Sequence, residues 1–282
     1  MKNTLHNPGC ARVITVFANE RSIPNRKMQS LQRRTDKVLW GVHLSFFSPE
    51  LIEFCGALGF EWVFLDAQHT PLNAFLCREL VRAADVAEMF CLVRVPEISA
   101  AAIEGFLDAG VIGILAPNVC SPSQARDLVA AVKFSPHGVR GAGFRSRAAR
   151  YGLIPSAAEY CRSSNHVTFT AALIETQMGI DNLEAIAAVP GLDYLAIGAS
   201  DLELSIEHDM HLPSGEVDTL VRAAAARIQA AGKPQICVVS DIAEAKRAAA
   251  CGGQLIAVPD ATLVARAGCT FLEGVANERE PA

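Results

Sequence analysis

From Val38 onward the chain alternates short apolar runs with stretches whose apolar residues recur every three or four positions, the rhythm of strands separated by helices. The strand candidates are VLWGVHL (38–44), WVFLD (62–66), CLVRV (91–95), IGILA (112–116), FTAALIE (169–175), YLAIG (194–198), ICVV (236–239) and QLIAV (254–258). Helices fit between them. SPELIEFCGALG (48–59) starts with Ser48 as N-cap and Pro49 at the first helical position. SPSQARDLVAAVK (121–133) repeats the Ser-Pro start, and Gly232 stops an Ala-rich helix that begins near Glu216. Apolar strands each followed by a helix pair in parallel, and eight such units predict an α/β fold, a (β/α)8 barrel. No glycine fingerprint for a dinucleotide follows the first strand, and no phosphate-binding loop is present.

One connection breaks the rhythm. KFSPHGVRGAGFRSRAARYGLIPSAAEYCRSSN, between the fourth and fifth strands, is about twice the usual length. Lys133, Arg140, Arg145, Arg147 and Arg150 make it basic, which suits either contact with an anionic substrate or a solvated or subunit-facing surface.

In such barrels chemistry sits at the C-terminal mouths of the strands. Reading those ends gives Asp66 with His69 close behind, Arg94 near the end of the third strand, Glu175 closing the fifth and Asp201 in the turn after the sixth. Each has a plainer role when taken singly: Asp66 and Asp201 as caps, Arg94 in a core ion pair, Glu175 solvated, His69 structural. Their convergence on one face favours a site. Glu175 and Asp201 are hard oxygen ligands of the kind Mg²⁺ or Mn²⁺ prefers, and an ion held by only two carboxylates keeps positions for a chelating 2-oxo acid. Arg94 suits an enolate oxyanion, and His69 suits a general base whose tautomer Asp66 fixes. The amides of Gly198, Ala199 and Ser200, where the chain enters a helix, suit a substrate carboxylate. No predicted strand carries a lysine for Schiff-base chemistry.

Composition narrows the setting. No apolar run is long enough for a membrane helix, and the start lacks a signal peptide's apolar core. The nine cysteines are scattered, never as C-x-x-C, with Cys91 and Cys237 inside strand-like runs. This predicts a reduced, cytoplasmic protein without disulfides or structural zinc. Residues 1–37 carry eight basic residues against Glu20 and Asp36, about +6, which leaves the remainder of the −5 chain near −11. The acidic body argues against nucleic acid as partner. Residues 1–36 are expected to form a disordered basic extension, with Met28 a plausible alternative start, and residues 37–282 a single barrel domain.

The residues then carry a resemblance. LWGVHLSFFSPELIEFCGALGFEWVFLDAQHTP, LVRVP, LDAGVIGILAPNV, SPHGVRGAG, LIET and NLEAIAAVPGLDYLAIGASDL resemble the HpcH/HpaI family of metal-dependent (class II) pyruvate aldolases, from about Leu31 to Asp260. The resemblance implies Glu175 and Asp201 as ligands of Mg²⁺ or Mn²⁺ (Co²⁺ also suits), His69 and Asp66 as the acid–base pair, and Arg94 as the enolate-stabilising arginine. It also implies a homo-oligomer, commonly a hexamer, built by packing or swapping the C-terminal helix. Four positions depart from the family pattern: Gln68 replaces an acidic residue, Leu173 a glutamine, Asn118 an apolar residue, and Ala199 of GASDL a proline.

The expected function is metal-dependent cleavage or formation of a 4-hydroxy-2-oxo acid from pyruvate and an aldehyde. Leu173 and Asn118 keep a related enolate chemistry open, either 2-oxo diacid decarboxylation or biosynthetic carbon–carbon bond formation. A silent barrel used for binding or assembly is the reading from a different class. The tail residues Leu263, Val264, Phe271, Leu272 and Val275 form an apolar stripe at helical spacing, fit for core or interface.

Overall fold

The computed structural model describes residues 37–154, 156–210 and 214–277; the expected basic extension and Met28 lie outside them. All eight expected strands are present: β1 Leu39–His43, β2 Trp62–Asp66, β3 Phe90–Arg94, β4 Gly113–Ala116, β5 Phe169–Ile174, β6 Tyr194–Ile197, β7 Gln235–Val238 and β8 Gly253–Pro259. They run parallel in sequence order, and β8 pairs back onto β1 to close the barrel. The helices around it are α1 Pro49–Ala57, α2 Ala74–Val86, α3 Ala100–Ala109, α4 Pro122–Val132, α5 Ala157–Val167, α6 Gln177–Asp181, α7 Leu183–Ala187, α8 Ala199–Met210, α9 Ser214–Ala230, α10 Ile242–Ala250 and α11 Asp260–Asn277.

The Ser-Pro starts behave as their chemistry dictates. Ser48 Oγ accepts from the Leu51 amide and Ser121 Oγ from the Gln124 amide, each with proline just inside the helix. Such a cap contributes about 1 kcal/mol.

Strand alternation decides what fills the barrel. Trp62, Phe64, Phe90, Leu92, Phe169 and Leu173 belong to one buried inner cluster, so every second residue of β2, β3 and β5 points inward. Aromatic rings occupy the lower layers: Trp62 stacks on Phe90 at 6.1 Å, Phe90 meets Phe169 edge-on at 6.1 Å, and Phe169 lies 5.2 Å from Tyr194. Trp62 fits because β1 offers Gly41 beside it, where a Cβ would lie 2.3 Å from the indole. Continuing each inward column by two residues reaches Asp66, Arg94 and Glu175. The period that builds the core therefore also delivers its polar rim.

The long β4–β5 connection contains a short 3-10 turn, Arg150–Gly152, before α5. It is pinned to the scaffold by its own cations. Buried Lys133 donates to the Asn165 and Thr168 carbonyls, buried Arg140 pairs with Asp108 at 3.1 Å and covers the Phe134 ring, and Arg147 pairs with Asp85. Three of the five basic side chains that suggested an anion-facing loop are thus engaged in holding the loop down. Among the described residues no helix is long and apolar enough to cross a membrane.

Candidate active site

The polar rim begins with an ion pair. Asp66 and Arg94 are register partners on β2 and β3, and both point inward. Arg94 Nε donates to Asp66 Oδ1 at 2.9 Å and Nη2 to Oδ2 at 2.7 Å, a bidentate fork. The carboxylate also accepts from the Gln68 amide at 2.9 Å, and the Asp66 carbonyl accepts from the Thr70 hydroxyl. Burial pushes the Asp66 carboxyl up, but the Arg94 guanidinium and the amides of Gln68 and His69 outweigh it and hold the group below its ordinary value.

This geometry revises the expected Asp66–His69 pair. Asp66 orients Arg94 and the turn, binding His69 through its backbone amide, while the His69 side chain stands exposed beyond the strand end. The physical reason is that a guanidinium in register on the neighbouring strand offers two aligned donors, against one from an imidazole three residues along a loop.

Across the mouth lies the carboxylate pair. Glu175 is 2% exposed; its Oε1 accepts from the Asn118 amide at 2.7 Å, and its buried Oε2 has no hydrogen-bond partner. The amide reaches Glu175 because Asn118 adopts a left-handed backbone (φ 52°), which asparagine tolerates better than most residues. Burial raises the Glu175 carboxyl above its ordinary value, and the charge and contact of Asp201, in the first turn of α8, add to this. Gly198 makes room for the pair, since a Cβ there would lie 2.8 Å from both Glu175 Cβ and Oε2. Two adjacent carboxyls, one with an unsatisfied buried oxygen, fit a hard divalent cation, which would neutralise their repulsion. Among the described residues no group of three or more His, Cys, Asp or Glu forms a denser metal site.

The three expected amides separate. The Gly198 N–H donates to the Ile174 carbonyl at 2.9 Å, completing the β5–β6 ladder, so it is taken by the sheet. Ala199 and Ser200 open α8 and keep the first-turn position suited to an anion.

One group was missed from sequence. His43 ends β1 and follows inward-facing Leu39 and Gly41 by the same period of two, so its ring enters the rim. It stacks on Phe64 with centroids 4.5 Å apart. Burial lowers its pKa, while the charges of Asp66, Arg94 and Asp260 reach it with mixed sign. Strand parity could have found it.

Comparison with known proteins identifies the family. The family model HpcH/HpaI aldolase/citrate lyase matches residues 39–264. A hydroxypyruvate/pyruvate aldolase of Deinococcus radiodurans is 33% identical over 247 residues, 86% of this chain and 88% of that protein. A 5-keto-4-deoxy-D-glucarate aldolase of Salmonella arizonae is 30% identical over 250 residues, 89% and 96% respectively. Among solved structures, an HpcH/HpaI aldolase/citrate lyase family protein of Burkholderia cenocepacia superposes with a TM-score of 0.76 at 29% identity, covering 90% of this chain and 99% of that one. The chain belongs to the HpcH/HpaI aldolase/citrate lyase family.

Proposed function

We propose that the protein is a carbon–carbon lyase, an aldolase that cleaves or forms a 4-hydroxy-2-oxo acid, with pyruvate as the 2-oxo acid product and Mg²⁺ or Mn²⁺ as cofactor. The observation that carries this reading is the buried Glu175–Asp201 pair, with Glu175 Oε2 unpartnered, facing the Asp66–Arg94 fork across one barrel mouth. Relatives at 30% and 33% identity carry aldolase names, which favours this over decarboxylation, condensation or a silent barrel.

Glu175 and Asp201 would hold the ion, which supplies Lewis-acid polarisation of the 2-oxo carbonyl when bound. Asn118 fixes one Glu175 oxygen so that the other faces the pair. Arg94 has Nη1 left over from its fork, and its N–H groups are available to the oxygen that becomes negative when the C3–C4 bond breaks. The amides of Ala199 and Ser200 receive the substrate carboxylate. His69, on the loop that Asp66 tethers, takes the proton of the C4 hydroxyl in cleavage and returns it in condensation. Leu173 makes the wall beneath Glu175 apolar, so orientation rests on these surrounding groups.

The test is exchange of the pyruvate methyl protons for deuterium, followed by NMR with Mn²⁺ and again with EDTA. Exchange that needs the metal and is lost in His69→Ala supports the reading; a folded, metal-loaded protein without exchange removes it.

The same reading extends to assembly and setting. α11 carries Val264, Phe271 and Leu272 well exposed, which supports packing against a second copy in a homo-oligomer, a hexamer being the expected form. The eight described cysteines are all free, which supports a reducing cytoplasm.

A further inference from the structure

We propose that His43 reads a hydroxyl on the aldehyde-derived half of the substrate, so that the enzyme selects hydroxyaldehydes over their deoxygenated counterparts. This rests on the aldolase reading above and specifies its substrate class.

The placement comes from topology. In a closed eight-strand barrel with strands in sequence order, β1 stands opposite β5. Glu175 directly follows β5 and Asp201 lies just past β6, so a 2-oxo acid seated against them extends its far end toward β1, β2 and β3. The far end of a 4-hydroxy-2-oxo acid is the carbon chain contributed by the aldehyde. Arg94 and Asp66 occupy the β2–β3 side, forked together, and the N–H groups left on Arg94 are those assigned above to the enolate oxygen. His43 is the inward-facing polar group on β1.

Its surroundings hold the ring without using its nitrogens. Phe64 stacks against one face, with an interplanar angle of 24°. Among the described residues neither ring nitrogen has a protein hydrogen bond, although acidic neighbours are close. Asp66 is taken by Arg94, and Asp260 accepts from the amides of Ser45, Phe46 and Ala261 at 2.8, 3.1 and 2.6 Å. The imidazole is half-buried, so part of the ring stays accessible at the mouth.

The chemistry selects the ligand. Burial favours the neutral ring, which offers one donor and one acceptor. A hydroxyl has the same two capacities, so it can donate to the bare nitrogen or accept from the N–H, whichever edge faces it, directly or through one water. A carboxylate-bearing aldehyde would call for a cation. An unsubstituted aldehyde would leave the ring edge unpaired on closure of the site, and this is the situation in which polar pockets discriminate.

The experiment uses the full-length protein loaded with Mn²⁺. Condensation of pyruvate with glycolaldehyde and with acetaldehyde is measured, and the ratio of the two kcat/KM values is compared between wild type, His43→Phe and His43→Asn. Phenylalanine keeps the stack on Phe64 and removes both hydrogen-bonding atoms; asparagine keeps a donor and an acceptor. The expected result is a ratio favouring glycolaldehyde that falls about tenfold in the Phe variant and changes less than about threefold in the Asn variant. An unchanged ratio in His43→Phe overturns the role of His43. Should that variant not fold, His43→Leu provides the same comparison. Pyruvate methyl exchange is recorded first on the wild type: its absence would overturn the aldolase reading and this inference together, whereas exchange with an unchanged ratio overturns this inference alone.

Discussion

Arg94 grips both carboxylate oxygens of Asp66 at 2.9 and 2.7 Å, and Asp66 in turn accepts from the amide of Gln68, one residue before His69. A cation on β3 thereby tethers the loop after β2 that carries the His69 imidazole. Arg94→Lys keeps the charge and loses the fork, and is expected to lower kcat about 10²-fold, as for loss of a single oriented donor to a developing oxyanion. Steady-state kinetics against the pyruvate-forming substrate check this.

The same pair makes a pH prediction. The Asp66 carboxyl is held below 3.8, so its stabilising contribution is complete above about pH 4 and fades as pH falls through the lower folded-state value. Asp66→Asn leaves the half-buried Arg94 without its counter-charge and is expected to cost about 3 kcal/mol at pH 7. The deficit should shrink on acidification below pH 4, because the wild type loses what the variant never had. Urea denaturation at pH 7 and pH 3 measures both.

If the Glu175–Asp201 pair holds the ion as proposed, divalent cations bind the folded protein and not the unfolded chain, and the melting temperature is expected to rise. At one hundred times the dissociation constant the gain is about 2.7 kcal/mol. Glu175→Gln removes the repulsion with Asp201 as well as the ligand charge. That variant should therefore melt no lower than wild type in EDTA and show no rise with Mn²⁺. Differential scanning calorimetry with and without metal decides it.

Gly198 has no polar side chain, yet its substitution should reach the metal site. A methyl at this position would lie 2.8 Å from the Glu175 Oε2. Gly198→Ala is expected to destabilise the fold by about 1–3 kcal/mol through overpacking and to weaken Mn²⁺ binding at least tenfold. Isothermal titration supplies the second number.

Assembly is testable on α11. Phe271→Asp places a charge on an exposed apolar position. If α11 packs on a second copy, light scattering will show the wild-type oligomer dissociating. An unchanged mass would mean that this face is not the interface.

Much of this architecture was legible in the chain because strands repeat with period two. Counting from Trp62 or Phe90 in steps of two gives Asp66 and Arg94, and a third repeat of the rule gives Glu175 from Phe169. The same count from Leu39 gives His43, whose strand LWGVH carries no carboxylate to mark a polar rim. What the sequence could not supply was partnership across space. Asp66 had two candidates, His69 three residues away and Arg94 twenty-eight away, and only the barrel register brings the distant one alongside. Arg147 met Asp85 across 62 residues in the same manner, which turned an apparently anion-seeking loop into a fastened one. The Gly198 amide likewise seemed available until the β5–β6 ladder claimed it.

The ring-filled base of the barrel carries a consequence for traffic. Trp62, Phe90, Phe169 and Tyr194 pack the barrel interior below the rim, so reactants reach the rim through the mouth above it. Two reactants that share that mouth must queue. On the proposed assignment of Glu175 and Asp201, the molecule seated against them would go in first and come out last, and the aldehyde would arrive behind it and depart ahead of it. Pyruvate and aldehyde should thus exchange in a compulsory order, with the inner molecule able to occupy the site alone and the outer one unable to keep it waiting from within.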